Sequence, residues 1–215
     1  MARRSRNTDY YEELNIWTAF TDLMSNAFMI LLLLLFIANI RYATPQMKKT
    51  GPPPYIAISD EEHRFAPGSA VISPEMSNYI NNKIVRAIEK NTKEYTIDTV
   101  EVIGHTDGQL VGSAASNLDT NLEAAASRQG SVSILKAGSN ADLGLMRSLA
   151  VVKELLKIQQ QQGRMRGIKF RAYSAAQLIL PPNAGFAPIP QKRQPEVERR
   201  RIEIRFTRSG EAQKV

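Results

Sequence analysis

An apolar stretch near the N-terminus, from Trp17 to Ile40, constrains this chain more than any other feature. Its last 18 residues, from Leu23 to Ile40, carry no charge. A helix over the whole stretch would be about 36 Å long, which is enough to cross a hydrocarbon core of about 30 Å. The stretch is longer than the apolar part of a signal peptide, and no good cleavage site follows it. We therefore predict an uncleaved membrane-spanning helix over residues 17–41.

One acidic residue, Asp22, lies inside this predicted span, where a carboxylate facing lipid would cost about 2.5 to 3.5 kcal/mol. Thr18, Ser25 and Asn26 share its helical face, so the helix has a polar stripe that is not suited to lipid. A carboxyl in such a stripe can exchange a proton with a water-accessible path, which makes Asp22 a candidate ion carrier. The alternative is a carboxyl near the helix start that reaches the interface or caps the helix.

The charge of the chain is concentrated outside this stretch. The chain has 215 residues and a net charge of +7, and residues 1–41 hold four Arg and four acids. The remainder therefore carries 24 Lys and Arg (28 − 4) against 17 Asp and Glu (21 − 4). This excess predicts an anionic neighbour, such as a cell-wall polymer or phospholipid headgroups, whereas no motif for binding nucleic acid is present. The absence of Cys excludes disulfides and thiolate metal sites.

The pattern predicts a tail over residues 1–16, a proline-rich linker over 42–54 and one α+β domain over 55–215. The predicted strands are Tyr55–Ser59, Tyr95–Gly104, Ile168–Tyr173 and Val197–Arg208. The predicted helices are Met76–Asn91 and Asp142–Gln161, with a further short helix over Leu118–Arg128 inside an insertion at 109–139. In the last strand, Ile202, Ile204 and Phe206 are expected to face the core and Arg201, Glu203 and Arg205 the solvent.

Three blocks of sequence stand in a fixed order in this domain. They are V-I-G-H-T-D-G at the end of a strand (102–108), N-A-D-L-G-L-M-R opening a helix (140–147), and R-R-R-I-E-I in the last strand (199–204). Together they resemble the OmpA-like peptidoglycan-binding domain, whose pattern is G-H-T-D, N-x-x-L-S-x-x-R and R-R-V-E-I. The resemblance implies a mixed sheet with helices on one face. Gly144 stands where the family usually has Ser, and the 40 residues from Asp107 to Arg147 exceed the family spacing.

The resemblance also implies a ligand, the diaminopimelate residue of the cell-wall stem peptide. Asp107 would hold its amino end and Arg147 its carboxylate end, since the planar guanidinium matches a carboxylate. Asn140 and Leu143 would be supporting contacts, and Thr106, Arg200 and Arg201 would support the ligand-binding loops from behind.

Each of these residues also has a plainer interpretation. Asp107 could cap a turn, Arg147 could be an exposed helix residue, and the arginines at 199–201 could be a solvated strand edge. His105 is expected to be structural rather than a metal ligand, because His63 is the only other histidine.

The predicted span resembles that of MotB-like stator subunits, in which a Trp precedes an Asp followed by an aliphatic residue and Met: here Trp17, Asp22, Leu23 and Met24. The Lys and Arg counts on the two sides of the span are equal and do not decide its orientation. A wall-binding domain implies a single-pass inner-membrane protein with a cytoplasmic N-terminus and a periplasmic domain. The resemblance further implies a homodimer within a ring, a pentamer, of MotA-like partners. H⁺ would be the transported ion, with Na⁺ as the alternative, and no cofactor is expected.

Among such subunits, the chain is most similar to the ZorB family of the Zorya anti-phage defence systems. The similarity lies in the short length, the start W-T-A-F-T-D-L-M and the insertion after H-T-D. The ring partner of that family is the MotA-like ZorA. The alternatives are a flagellar MotB and a passive wall tether of the OmpA or Pal kind. An energy transducer like TolR or ExbD ranks lower, because those proteins lack the wall-binding blocks. No nucleophile–base pair or metal cluster is apparent, so we do not expect an enzyme.

Overall fold

The structure is a computed structural model that describes residues 8–43, 49, 51–59, 65–112, 115–181, 185–189 and 193–210, without the side chains of 8–15 and 41–43. It contains two compact units, Met1–Met47 and Lys48–Val215. The start of the predicted tail, most of residues 44–50 of the linker, and His63 lie outside the described residues.

The described part of the N-terminal unit forms one helix, α1, over Thr8–Ala43. Its segment Ile16–Ile40, 25 residues, is long and apolar enough to cross a membrane. Every described side chain of this segment is exposed within the unit. The predicted apolar helix is therefore present, and it extends farther toward the N-terminus than the predicted span because residues 8–16 continue the same helix.

The second unit is built on a four-stranded sheet with the order β1-β4-β2-β3. The strands are β1 (Ile56–Ser59), β2 (Thr99–His105), β3 (Lys169–Ala176) and β4 (Arg201–Thr207). β2 pairs with β3 in parallel and with β4 antiparallel, and β4 is also antiparallel to β1. The predicted α+β class with a mixed sheet is confirmed, and β2 is an inner strand of that sheet.

One face of the sheet is covered by helices. They are α2 (Pro74–Tyr79), a π-helical turn (Ile80–Ile84), α3 (Val85–Glu94) and α5 (Asn140–Gln162). Ser73 caps α2, with Pro74 following at the first helical position, and Gly163 ends α5 with a positive φ of 65°. Val102 and Ile204 of the sheet are fully buried against Val151 and Leu155 of α5 in one core cluster.

The π-helical turn explains how the predicted helix at 76–91 buries its apolar side chains. Met76, Ile80, Ile84 and Ile88 are spaced by four, which in a regular α-helix drifts by about 40° at each step. The wider turn with i→i+5 hydrogen bonds brings these residues back toward one face. All four are buried, and Val85 joins them.

The last strand departs from the prediction in one respect. Ile202, Ile204 and Phe206 are buried as expected, but Arg201 and Glu203 are also buried, at 7% and 3% exposure, and only Arg205 is exposed. The expectation that Arg201 and Glu203 face solvent is wrong, because the chain at Leu180 and Arg199 lies against Arg201, which in turn pairs with Glu203. The Leu180 carbonyl accepts a hydrogen bond from Arg201 Nη2 at 3.1 Å, and the Arg199 carbonyl accepts one from Nη1.

The predicted insertion between β2 and α5 is folded where it is described. It contains α4 (Leu118–Ala126), close to the predicted bounds, and a 3₁₀ turn over Val132–Ile134. The side chain of Asn117 ties the two ends of this substructure together by donating to the Ile134 carbonyl and accepting from the Lys136 amide. Leu118, Ala125, Val132 and Leu135 join the main core.

Candidate functional site

The end of β2, the start of β4 and the start of α5 meet at one edge of the sheet. β2 ends at His105, and the antiparallel register places Arg201, the first residue of β4, opposite it. α5 begins at Asn140 and packs against the end of β2, where Gly104 and Gly144 are in backbone contact. A pocket of about 390 Å³ opens at this edge. Its lining includes Phe65, Thr106, Asp107, Gln109, Leu110, Asn140, Leu143, Arg147 and Arg200.

Asp107, immediately beyond β2, is 4% exposed and its carboxylate is held on both oxygens. Oδ1 accepts the Gln109 amide at 3.1 Å, whereas Oδ2 accepts the Glu196 amide at 3.2 Å and Arg200 Nη1 at 3.1 Å. The bond to Gln109 forms the tight turn that the plainer interpretation expected. Since a carboxylate can accept about four hydrogen bonds, these three leave room for one more donor. Asp107 is therefore both a turn residue and a pocket wall.

Arg147, on the second turn of α5, is also buried, with 5% exposure. Its Nε donates to the Ser69 carbonyl at 3.0 Å, and its guanidinium lies over the Phe65 ring, 5.2 Å from the centroid. The interpretation of Arg147 as an exposed helix residue is wrong, because the segment 65–70 packs over this part of α5. These contacts hold the guanidinium at the pocket wall.

Asn140, Leu143 and Thr106 complete the polar and apolar lining. Asn140 Nδ2 donates to the Gln109 carbonyl at 2.7 Å and so connects the start of α5 to the loop after β2. Leu143 lies one turn farther along α5 and is buried. The Thr106 hydroxyl is buried and has no hydrogen-bond partner among the residues that the structure describes. A buried hydroxyl without a partner is costly, and its place in the pocket lining makes it a candidate donor to a ligand.

Arg200 lies at the pocket itself, whereas the resemblance implied that it supports the ligand-binding loops from behind. Its side chain lines the pocket and pairs with Asp107. The pocket thus presents one carboxylate and two guanidiniums, those of Arg147 and Arg200. This balance favours a ligand with a carboxylate for the two cations and a polar donor for Asp107.

Arg201 lies behind the pocket in a buried ionic cluster with Glu203 and His105. Its Nη2 is 2.7 Å from Glu203 Oε1, and His105 Nε2 is 3.4 Å from the same oxygen. Arg205 pairs with the other oxygen at 2.8 Å. The His105 imidazole, with Arg205 and Arg201, holds the pKa of the Glu203 carboxyl well below its ordinary value. His105 and Arg201 therefore support the end of β2 from the face opposite α5, as the structural interpretation of His105 expected.

The sequence patterns did not identify several residues of this site. Phe65 lies before α2 as an isolated aromatic residue, and nothing in its spacing links it to Arg147. Glu203 was assigned to solvent by strand alternation alone. The loop residues Gln109–Gly112, which line the pocket, belong to the insertion and have no counterpart in the motif.

The polar stripe of α1 is a second candidate site. Thr21 Oγ1 and Asn39 Nδ2 donate to the carbonyls four residues earlier, Trp17 and Leu35, which satisfies them within the helix. In the described part of the chain, the side chains of Asp22, Ser25 and Asn26 form no such bond. All three side chains are exposed.

Metal binding has no candidate here: no group of three or more His, Asp or Glu in the described residues is placed to hold an ion.

Comparisons with known proteins give no match to a family model and none to a curated protein. Among solved structures, the chain is similar to the periplasmic domain of Helicobacter pylori MotB, with 16% identity, 75% of this chain and 80% of that chain covered, and a TM-score of 0.45. It is also similar to a MotB-like protein from Desulfovibrio vulgaris, with 15% identity, 72% and 75% covered, and a TM-score of 0.41.

A third similar structure is the cell wall anchor of the T6SS from Pseudomonas aeruginosa, with 18% identity, 80% of this chain and 95% of that chain covered, and a TM-score of 0.40.

Proposed function

We propose that this chain is a cell-wall-anchored stator subunit of a proton-driven MotA/MotB-like motor, of the kind found in Zorya anti-phage defence. The observation that carries the proposal is the pocket in which Asp107 faces the same cavity as Arg147 and Arg200. An acid and two guanidiniums are the complement of a zwitterion with an exposed carboxylate. The side chain of diaminopimelate in the wall stem peptide has this chemistry.

In this proposal each pocket residue has a defined role. The ligand's ammonium donates to Asp107, and its carboxylate binds Arg147 and Arg200. The Thr106 hydroxyl donates to the bound carboxylate, while Asn140 holds the loop at Gln109 in place. Leu143 packs against the methylene chain of the ligand.

The membrane helix supplies the second half of the proposed function. Asp22 is the only ionisable residue between Ile16 and Ile40, and it shares a face with Ser25 and Asn26. A proton taken up by Asp22 neutralises it, and release restores the charge, which changes its interaction with a neighbouring helix. In a ring of MotA-like subunits around a dimer of this chain, that cycle would move the ring while the wall holds the dimer still. The domain would be periplasmic and the N-terminus cytoplasmic.

Wall binding is tested with the full chain in detergent micelles and two soluble muropeptides. One carries diaminopimelate, and the other carries lysine, which lacks the side-chain carboxylate. We expect binding of the first and at least a tenfold weaker binding of the second, because the two guanidiniums lose their partner. Asp107→Asn should weaken binding of the diaminopimelate form by a similar factor. Equal binding of both muropeptides contradicts the proposed ligand.

Motor activity is tested by Asp22→Asn in cells that express the chain with its ring partner. We expect loss of phage protection and of proton uptake into the cytoplasm, with unchanged membrane insertion and complex assembly. A passive wall tether predicts the opposite, since Asp22 would be dispensable while Asp107→Asn would remove the phenotype. Protection retained by Asp22→Asn would overturn the motor and leave the tether.

A further inference from the structure

A second cavity lies beside the first, along the same helix. It has a volume of about 690 Å³ and is lined by residues 70–72, by residues 126–133 of the insertion and by the second half of α5 up to Gln161. We refer to it as the insertion groove. None of the three motif blocks contributes a residue to it.

The insertion groove continues the first pocket along one face of α5. Leu143 and Arg147 line the pocket, and Ala150, Glu154 and Lys157 line the groove. The spacing of these five residues alternates between four and three, which keeps them on one helical face over about 21 Å.

The segment 65–72 forms a second wall that the pocket and the groove share. The segment 65–68 lines the pocket, and 70–72 lines the groove. Arg147 donates to the Ser69 carbonyl at the junction between these two segments. The pocket and the groove therefore lie next to each other on the two sides of the Arg147–Ser69 contact, and a chain that leaves the pocket over this contact enters the groove.

The rim of the groove is cationic. Arg128, Lys153 and Lys157 line it, against one carboxylate, that of Glu154. Glu154 is engaged by the Ser77 hydroxyl at 2.6 Å and by Lys157 at 3.7 Å. Lys153 donates to the Ser127 carbonyl at 2.6 Å, which ties α5 to the insertion. The groove thus carries an excess of two positive charges, with Arg128 and Lys157 at its exposed edge.

The remaining lining is suited to a peptide. Ile72, Val132 and Leu156 give it apolar surface, and Gln160 and Gln161 offer amide groups that match those of a peptide backbone. The cations are separated along the groove and one anion is already among them, whereas a chain of phosphates would require a denser cluster of cations without an acid. Isolated carboxylates along an extended peptide fit this arrangement.

We infer that the insertion groove binds the carboxylate-bearing remainder of the stem peptide whose diaminopimelate residue occupies the first pocket. This inference rests on the proposed function. Arg128 and Lys157 attract the carboxylates, and the apolar surface contacts the side chains between them. The insertion, which separates Asp107 from Arg147 in sequence, then serves to lengthen the wall-binding site.

The experiment uses the full chain in detergent micelles and three ligands. They are free diaminopimelate, a stem tetrapeptide that contains it, and the same tetrapeptide with every carboxylate outside the diaminopimelate residue amidated. The variant is the double substitution Arg128→Gln and Lys157→Gln, and Lys93→Gln on α3, outside both cavities, is the matched control. Binding is measured by calorimetry at low and high salt.

We expect the double variant to bind the tetrapeptide about fivefold more weakly than the wild type, because each exposed ion pair contributes little on its own. Binding of free diaminopimelate should be unchanged, as should binding of the amidated tetrapeptide. The difference should shrink at high salt. The Lys93→Gln control should bind all three ligands like the wild type.

Two results would overturn the inference while the proposed function stands. One is unchanged tetrapeptide affinity in the double variant. The other is displacement of the tetrapeptide by inorganic phosphate at an ionic strength matched with chloride, which would assign the groove to phosphate. If the wild type binds none of the three ligands, the proposed function fails, and the inference fails with it.

Discussion

Gly104 of β2 and Gly144 of α5 lie in backbone contact, so the end of the strand and the start of the helix approach more closely than side chains would allow. A Cβ atom on Gly104 would overlap the Gly144 carbonyl, and one on Gly144 would overlap the Ser174 hydroxyl and lie 2.9 Å from the Gly104 carbonyl oxygen. This contact sets the distance between Asp107, three residues beyond Gly104, and Arg147, three residues beyond Gly144. The glycine at 144, where the family usually has Ser, is thus a requirement of this chain's own packing.

Substitution at this contact should destabilise the domain. We expect Gly104→Ala to lower the free energy of unfolding by about 2 to 3 kcal/mol, because the methyl group meets backbone that must move. Gly144→Ala should cost less, about 1 to 2 kcal/mol, since its closest neighbour is a side-chain hydroxyl that can rotate. Hydrogen exchange of β2 and α5 amides in the full chain measures both effects.

Gly51→Ala is the control for these substitutions, because a Cβ there has no neighbour within 4 Å. Adding Ser174→Ala to Gly144→Ala should restore part of the lost stability. If Gly104→Ala were as stable as Gly51→Ala, the close contact would not exist in the folded chain.

The buried Glu203 makes a prediction about acid stability. Its pKa in the folded chain lies below the ordinary value of 4.5. The carboxylate therefore contributes stability that is fully present above about pH 4.5 and is lost as the pH falls below that value toward the folded pKa. We expect the thermal midpoint of the wild-type domain to fall steeply as the pH drops below about 4.5. In Glu203→Gln this dependence of the midpoint on pH should be weaker.

The informative quantity in that experiment is the slope of the thermal midpoint against pH. The midpoint itself is not, because Glu203→Gln also leaves Arg201 buried without its partner and so lowers stability at every pH. Arg205→Gln offers a graded comparison. It removes an exposed donor to Glu203 and so raises the pKa of this carboxyl in the folded chain toward its ordinary value. The loss of stability should still begin near pH 4.5, but it should end at a higher pH and be smaller in total than in the wild type. An identical slope in wild type and Glu203→Gln would show that this carboxyl does not control acid unfolding.

Arg200 should matter for binding more than for folding. Its side chain is 21% exposed, and the Asp107 carboxylate keeps its bonds to the Gln109 and Glu196 amides without it. We expect Arg200→Gln to weaken binding of the diaminopimelate muropeptide about tenfold with a change in unfolding free energy below about 1 kcal/mol.

Arg147→Lys is the contrasting variant. A lysine keeps the charge but loses the planar contact with Phe65 and the directed bond to Ser69, so both binding and stability should decrease. Equal muropeptide affinity of wild type and Arg200→Gln would place Arg200 outside the binding surface.

The polar stripe of α1 should be needed for proton uptake. Replacement of Ser25 and Asn26 by Leu makes the helix more apolar, so membrane insertion should be retained while proton uptake through the assembled complex falls by about tenfold or more. Leu34→Ala, farther along the helix and off the stripe, should have little effect on the flux. A double Leu variant with normal proton uptake would exclude this face from the ion path.

Much of the fold was predictable because its signals are local. The strand at 99–105 has alternating apolar residues, and the helix at 140–162 has both a regular apolar spacing and a glycine stop. The π-helical turn was not predicted, since four-residue spacing in a short window is compatible with an ordinary helix. The burial of Glu203 was also missed, because strand alternation distinguishes two faces but does not show that chain from elsewhere lies against the second.

Only the residues of the candidate site that belong to the sequence motifs were predictable. Asp107, Asn140, Leu143 and Arg147 were identified from sequence, and the structure places all four at one pocket despite the long insertion. Phe65 and the Ser69 carbonyl were not identifiable, because their role depends on how a distant segment packs over α5. The resemblance also understated Arg200, whose contact with the pocket follows from the register of β4 against β2 rather than from its own sequence context.

The position of β2 between β3 and β4 has a mechanical consequence. All seven of its residues are paired with both neighbouring strands, in continuous register with β4 and with one shift against β3 between Gly104 and His105. A tether held at Asp107 and pulled along the strand loads both ladders in parallel, so that many hydrogen bonds must break together instead of opening one by one from an edge. In the proposed function, an inner strand would carry tension from the wall into the body of the domain through two ladders, whereas the edge strand β1 is held by one ladder alone, to β4.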